Sequence, residues 1–534
     1  MAAVVAHGAS TFVREEVPGN VSVWPWLLLA GLSSAAIMDA INSTVLSIAR
    51  AQMMGSSHAT PDEIAWINIA YFIAKLTMFP VAVWLATRVG LRRALLGAMS
   101  LLLVSSLACG MTTDLGHLIA WRAAQGAGGA VLLVAAQTLL FEIFPGRQQG
   151  VVQAVFALAI IMMPVTIAPA LQGWATDTLS WSWTFLLSLP FGVIGVLSLL
   201  LPVDEPPRRA GNLDWPGATL LVIAMACLVF VLQEGSRYDW FEEPKIVHLS
   251  ISGMVALALF VAWEIRVQKR GALIDFGVLR DAHFAFGFIV SFVAGCALFG
   301  SAYIIPAFAL SVIDLGPTHA GLLQLPGAAV LGTGLLVVGG LIQFGKVPPM
   351  AFIPLGILCF MTAMWMLSDL TVESGAPDMT APLLLRGLGL SFLFIPLTIV
   401  TLCDLRGQLI AHGVALFNVG RQVGGLVGIA CLSTYLDHQA ALNRSILASY
   451  LAPGNPALAE RQDMVTALLT ARGYNPAEAA SAAIAVIQKT LQAQVAVLSF
   501  SEAFLALALL FVVAAPILVS IKVGQSIFGS RGRH

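Results

Sequence analysis

Residues 23–47 read VWPWLLLAGLSSAAIMDAINSTVLS, an apolar run that holds one ionisable side chain, Asp39. As a helix it is roughly 37 Å long, enough to cross a hydrocarbon core of about 30 Å. It exceeds the ~7–15-residue core of a secretory signal, and no small-x-small cleavage site closes it, so a retained membrane helix is expected. A carboxylate at such depth is costly unless it faces a cavity or a partner, so Asp39 marks an ion or substrate path.

Further runs of the same kind follow at approximately 63–86, 93–111, 116–141, 150–173, 183–202, 214–233, 246–265, 283–310, 317–342, 348–368, 380–401, 409–434 and 499–522. The chain therefore predicts an all-α integral membrane protein with 14 transmembrane helices. Composition agrees: 58% of residues are hydrophobic, 10% are charged and the mean hydropathy is +0.89, against about 25% charged residues in a soluble globular chain. A net charge of −1 gives no basic face for neutralising phosphates, so nucleic acid is not an expected partner.

Placing the N-terminus in the cytoplasm puts 16 of the 27 Lys and Arg residues in cytoplasmic loops and tails. These are Arg14, Arg88, Arg92, Arg93, Arg147, Arg208, Arg209, Arg266, Lys269, Arg270, Arg280, Lys346, Arg406, Lys522, Arg531 and Arg533. Only Arg50, Arg237 and Lys245 fall in short outer loops. The positive-inside rule thus predicts both termini on the cytoplasmic side.

Five charged side chains lie well inside the apolar runs: Asp39, Lys75, Arg122, Arg386 and Arg421. Arg122 opens a glycine-bearing helix, Trp121-Arg122-Ala123-Ala124-Gln125-Gly126-Ala127-Gly128-Gly129, and Arg386 does the same in Leu385-Arg386-Gly387-Leu388-Gly389. The following helices carry small-residue stripes, Ala168 to Gly173 and Gly420, Gly424, Gly425, Gly428. Two related halves follow, with a site at their interface. The expected organisation is a tail 1–22, a six-helix bundle 23–202, two inserted helices with linkers 203–282, a second six-helix bundle 283–522 that includes an outer loop 435–498, and a tail 523–534.

The glycines precede no Lys-Ser/Thr and follow no strand, so no nucleotide site is expected and the energy is expected to come from an ion gradient or from the substrate itself. The nine histidines show no HxxxH or HExxH spacing and no GxSxG elbow is present, so neither a metal site nor enzyme activity is expected. Six cysteines lie in or at the ends of apolar runs and read as packing residues.

Several segments together carry a family likeness. Met38-Asp39-Ala40 lies in the first helix, Trp84-Leu85-Ala86-Thr87-Arg88-Val89-Gly90-Leu91-Arg92-Arg93 joins the second and third, and Ala168-Pro169 to Gly173-Trp174 sits in the fifth. Trp181-Ser182-Trp183-Thr184-Phe185 and Pro190 follow, and Leu416-Phe417-Asn418-Val419-Gly420-Arg421-Gln422-Val423-Gly424-Gly425 lies in the thirteenth. With Arg122 to Gly129 they resemble, from about residue 23 to 522, the major facilitator superfamily, specifically its fourteen-span drug/proton antiporter branch, the EmrB/QacA-like exporters.

The resemblance implies a proton-coupled multidrug exporter of hydrophobic or amphipathic molecules in a bacterial inner membrane, working by alternating access with the proton gradient in place of a cofactor. Proton coupling falls to Asp39 and Arg122, and a substrate cavity to Asn42, Lys75, Gln125 and Arg386. The loop motif falls to Arg88, Gly90 and Arg92, and helix packing to Gly126, Pro169, Gly173, Asn418, Arg421 and Gly425. Trp66, Phe72, Met162, Met163 and Phe417 are candidates for an apolar wall, or for packing. Lys75 stays open between pairing with Asp39, attracting a substrate anion, and snorkelling its ammonium into polar space.

The chain departs from the pattern in places. The loop motif has Thr87 and no acid, so gating through an ion pair there is not expected. Ala168 and Gln172 replace glycines in helix five, which implies a looser helix approach. Gln324 in helix ten is no carboxylate, which disfavours dicationic drugs.

Residues 435–498 predict two or three amphipathic helices broken near Pro453-Gly454-Asn455-Pro456 and Gly473-Tyr474-Asn475-Pro476. The resemblance implies a periplasmic adaptor and an outer-membrane channel as partners there, against a cap that docks nothing. A dedicated exporter of one siderophore, fatty acid or organic anion, a non-transporting sensor and an importer remain alternatives.

Overall fold

A computed structural model describes residues 24–200, 212–268, 272–345, 347–449, 451 and 455–531. The tail 1–22 with Arg14, and Arg208, Arg209, Lys269, Arg270, Lys346, Pro453, Gly454 and Arg533, lie outside the described residues. Among the described residues the regular structure is helical throughout.

Fifteen helices are named in chain order: α1 Trp24–Ser57, α2 Pro61–Val89, α3 Leu91–Met111, α4 Leu115–Ile143, α5 Gly146–Thr178, α6 Trp183–Ser198, α7 Trp215–Glu234 and α8 Pro244–Val267. Then come α9 Ala282–Ser311, α10 Thr318–Gln343, α11 Pro349–Ser368, α12 Ala376–Leu402, α13 Gln408–Ser449, α14 Pro456–Ala471 and α15 Pro476–Arg531. All except α6 and α14 are long and apolar enough to cross a membrane, giving 13 spans, and the shorter apolar α6 brings the count to the expected 14.

Helix starts are written locally. Thr60 and Glu63 form a capping box at α2, while Asp114, Asp214 and Asp281 accept hydrogen bonds from the first-turn amides of α4, α7 and α9. Prolines occupy the first turn of α2, α7, α8, α12, α14 and α15, where a missing N–H costs nothing. Gly90 links α2 to α3 in one residue at φ 99°, a conformation that side chains other than glycine rarely adopt. Within α5, Leu158–Ile167 is π-helical and contains Pro164, whose lack of an amide N–H is one local cause of a widened turn.

In the first half α2 packs closely along α4, and α1 lies against α5 and α6. In the second half α9 packs along α13, while α12 is flanked by α10 and α11. The inserted pair α7 and α8 packs mainly on itself and on α2. Asn68 of α2 donates to Gln233 of α7 at 2.7 Å, and the Trp263 indole of α8 donates to Asp214 at 2.8 Å.

The halves meet along α5 and α10 at both ends. At the end holding Arg92 and Arg147, the Val151 amide donates to Gln343 Oε1 at 3.1 Å, and Gly150 and Gly339 bring their backbones together. A Cβ on either glycine would strike the other helix's carbonyl. At the opposite end Gly321 abuts Ala170, and Thr318 donates to Asp177.

Among its described residues the segment 435–498 is largely helical, as amphipathic spacing predicts, with two differences in its boundaries. α13 continues past residue 434 to Ser449, and the last span does not begin at 499 but continues a helix that starts at Pro476 and runs through Arg531. The expected break at Gly473-Tyr474-Asn475-Pro476 is present, one helix ending at Ala471 and the next starting at Pro476, which sits in its first turn. The end of α13, α14 and the start of α15 border a half-open groove of about 270 Å³ lined by Leu447, Leu451, Val465, Val486, Ile487 and Leu491, with Arg461 beside them.

Candidate functional site

Asp39 sits midway along α1 and is 3% exposed. Two side chains of α2 converge on it. Lys75 donates from Nζ to Asp39 Oδ2 at 2.8 Å, and Tyr71 donates from its hydroxyl to Oδ1 at 3.0 Å. Lys75 also donates to the Tyr71 oxygen at 2.7 Å, so carboxylate, ammonium and phenol close a three-membered ring. Tyr71 and Lys75 are four residues apart on one helix, which places them on the same face. The snorkelling alternative for Lys75 is therefore corrected: the ammonium is buried and paired.

Gly129 of α4 makes the space for this ring. A Cβ there would collide with Asp39 Oδ1, and one on Gly126 would collide with the Tyr71 carbonyl. The glycines of the fourth-helix motif thus let α4 approach both α1 and α2 at the depth where the charges sit.

Arg122 does not bond to Asp39. Its Nη1 donates to the Asn42 carbonyl at 2.7 Å and to Gln125 Oε1 at 2.9 Å, and its Nε donates to the Ile67 carbonyl at 3.3 Å. The guanidinium lies over the Tyr71 ring, 4.3 Å from the centroid, where the π face attracts it. Tyr71 therefore stands between the two expected proton-coupling residues, its face on the cation and its hydroxyl on the anion. Ser106 of α3 completes the network by accepting from Gln125 Nε2 and Asn42 Nδ2, each at 2.9 Å.

Of the four residues expected to line a cavity, Asn42, Lys75 and Gln125 belong to this one network, and Arg386 lies apart on α12. Arg386 is buried and donates from Nε to Ser301 Oγ of α9 at 2.9 Å. Arg421 donates to Asn418 Oδ1 at 2.6 Å, and Asn418 reaches across the halves to Gln137 Oε1 of α4 at 3.1 Å. Arg421 is also close enough to interact electrostatically with Asp39 and Lys75, so the site lies where α1, α2 and α4 face α13. Gly425 packs on the Phe299 ring.

The loop-motif residues sit together at the arginine-rich end, remote from Asp39. Arg92 donates to the carbonyls of Leu199 and Leu200 at 2.9 and 3.5 Å, capping the end of α6, and Arg88 lies over the Trp84 ring at 6.0 Å. Pro169 and Gly173 are buried in the last segment of α5. Where glycine replacement implies a looser approach, Gln172 instead ties α5 to α1, donating to the Ile41 carbonyl at 2.6 Å. Of the candidate wall residues, Met162 touches Gly332 of α10 across the halves, whereas Trp66 packs on Phe230 of α7 at 5.6 Å.

Sequence reasoning missed Tyr71, Ser106, Ser301 and Gln137. Only Tyr71 carried a signal: a polar-tipped aromatic one turn before an intramembrane lysine in the same helix.

The family model for the Major Facilitator Superfamily matches residues 32–429. Among curated relatives, the chain is 28% identical over 435 residues to the multidrug export protein EmrB of Haemophilus influenzae, covering 80% of this chain and 84% of that protein. It is 25% identical over 495 residues to the fatty acid resistance protein FarB of Neisseria gonorrhoeae, covering 92% and 95%. Among solved structures, the fold is similar to the proton:xylose symporter XylE with TM-score 0.54 at 13% identity, covering 78% of this chain and 90% of that one. It is also similar to the human organic anion transporter MFSD10 with TM-score 0.52 at 13% identity, covering 91% and 99%. The chain belongs to the major facilitator superfamily.

Proposed function

We propose that this superfamily member exports hydrophobic or amphipathic small molecules across a bacterial inner membrane in exchange for protons, by alternating access. The observation that carries this reading is the buried Asp39–Lys75 pair, closed by Tyr71 and set against Arg122. Curated relatives named for multidrug export and fatty acid resistance support the exporter assignment.

The pair couples the two cargoes as follows. With Asp39 ionised, Lys75 has its counter-charge. Adding a proton to Asp39 leaves an ammonium buried without a partner, a loss of roughly 3–5 kcal/mol when one member of a buried pair is removed. Proton uptake therefore belongs to a different conformation, one that gives Lys75 water or a substrate group and wets Asp39. Coupling requires that proton and substrate prefer different conformations, and the pair supplies that preference. The α5–α10 contacts at the two ends are the surfaces that part in turn. The arginine-rich end faces the cytoplasm, with both termini on that side, and the cap built from α13, α14 and α15 faces the periplasm, where an adaptor docks.

Growth of an efflux-deficient bacterial host on a broad toxin panel, together with proton-gradient-driven uptake into everted vesicles, tests the reading. Wild type protects against several unrelated compounds, and Asp39→Asn at equal expression does not. Equal protection by both would remove Asp39 from the coupling step. Protection against a single compound favours the second reading, a dedicated exporter, for which FarB is the relevant similarity.

A further inference from the structure

Among the described residues four buried cations, Lys75, Arg122, Arg386 and Arg421, accompany three buried acids, Asp39, Glu234 and Glu264. Asp39 is taken by Lys75. Glu234 ends α7 near Arg237, and Glu264 of α8 accepts from the Ile274 amide at 3.1 Å, so neither serves the centre of a bundle. The remaining three guanidinium groups must be satisfied without carboxylates.

They are satisfied very unequally. Arg122 has two carbonyls, an amide oxygen and the Tyr71 ring, although its Nη2 too is buried with no hydrogen-bond partner. Arg421 has Asn418 and lies within reach of the Asp39 charge. Arg386 has the Ser301 hydroxyl, and its Nη2 is buried with no partner. Among the described residues no carboxylate pairs with it. A buried charge without a counter-charge is among the most expensive features a fold can carry.

Its surroundings are built to last. Gly387 abuts Gly327 of α10, and Gly389 abuts Gly356 and Phe360 of α11, so two faces of α12 are sealed by backbone contact on either side of the arginine. α12 also touches α5 of the other half, which places it at the interface between the bundles. Arg386 thus occupies the N-terminal half of a helix held rigidly on two sides, with an unused donor. The planar fork of a guanidinium is matched by a carboxylate or similar oxyanion, which it holds through charge-assisted bonds.

The geometry points to Arg386, with Ser301 beside it, as the subsite for the anionic head of an amphipathic organic acid. This names the substrate class of the exporter proposed above and rests on that reading. The substrate's charge supplies the counter-charge that Arg386 does not find among the described carboxylates, as Asp39 supplies it for Lys75. Arg386 is then the residue that selects anions over neutral molecules of the same shape.

The test is equilibrium binding of labelled dodecanoate and dodecanol to the purified full-length protein at about pH 8, well above the ordinary carboxylate range. These probes share one tail and differ in head-group charge. Wild type is expected to hold dodecanoate about tenfold or more tighter than dodecanol. Arg386→Gln brings the two within about twofold, Ser301→Ala narrows the gap in part, and Arg386→Lys keeps some of it because the charge remains but the fork is lost. Unchanged elution on gel filtration identifies folded variants.

No anion preference in wild type, or a preference that survives in folded Arg386→Gln, overturns the subsite. Gradient-driven efflux of cationic ethidium from proteoliposomes separates the two readings. Ethidium efflux without an anion preference sinks the subsite and leaves export standing, whereas no ethidium efflux together with no anion preference sinks both.

Discussion

The Lys75 ammonium of α2 meets the Asp39 carboxylate of α1 at 2.8 Å with both side chains almost wholly buried. The arginine of the same bundle, Arg122, reaches that pair only through the Tyr71 ring. The counter-charge of Lys75 thus depends on one contact between two helices.

Lys75→Met leaves Asp39 buried without its cation and is expected to lower stability by about 3–5 kcal/mol. Asp39→Asn/Lys75→Met together replaces the pair with uncharged groups and recovers most of that loss. Thermal unfolding of purified variants in one detergent reads both. Transport stays absent in the double variant, because no titratable group remains at that position.

Tyr71→Phe keeps the ring beneath Arg122 and removes the hydroxyl that bonds both Asp39 and Lys75. A lost hydrogen bond to a charged group is expected to cost about 1.5–3 kcal/mol. Efflux falls and its pH profile moves while the protein still folds. A pH profile identical to wild type would make the hydroxyl a bystander.

Gly129→Ala places a methyl group against Asp39 Oδ1, so the carboxylate or the helix must shift. Overpacking of this kind costs about 1–3 kcal/mol. Gly97→Ala is the matched control: it lies on α3 with open space around it and is expected to be neutral or to stabilise by up to about 1 kcal/mol. Comparing melting temperatures and efflux of the two variants separates close approach from helix propensity.

Arg237 pairs with Asp62 at the end of the bundle opposite the arginine-rich loops, where both side chains are about half exposed. Exposed pairs contribute at most about 1 kcal/mol, so Arg237→Ala is expected to move stability by no more than that and to leave efflux intact. A loss as large as that of Lys75→Met would show that this contact locks the end of the bundle.

The class of the fold was legible in the sequence because each span is a local sum of apolar residues, and helix starts such as Thr60-x-x-Glu63 and Asp281 carry their own capping groups. The shortness of α6 and the continuous α15 were less legible, since hydropathy marks what is apolar and not where a helix stops. The five intramembrane charges announced themselves by cost, whatever their partners.

The partners are another matter. Asp39 had Lys75 and Arg122 as candidates, and the choice depends on how α1, α2 and α4 are rotated against one another. That rotation is set by backbone approach at Gly126 and Gly129, contacts between residues tens of positions apart. Tyr71 as the link between Asp39 and Arg122, and Ser301 as the partner of Arg386, arise in the same way. The sequence by itself determined a fourteen-span membrane protein and the residues whose charge demands an explanation, because length, hydropathy and desolvation are properties of single segments. Only the tertiary structure decided which charges neutralise one another, because that is a property of helix register and rotation.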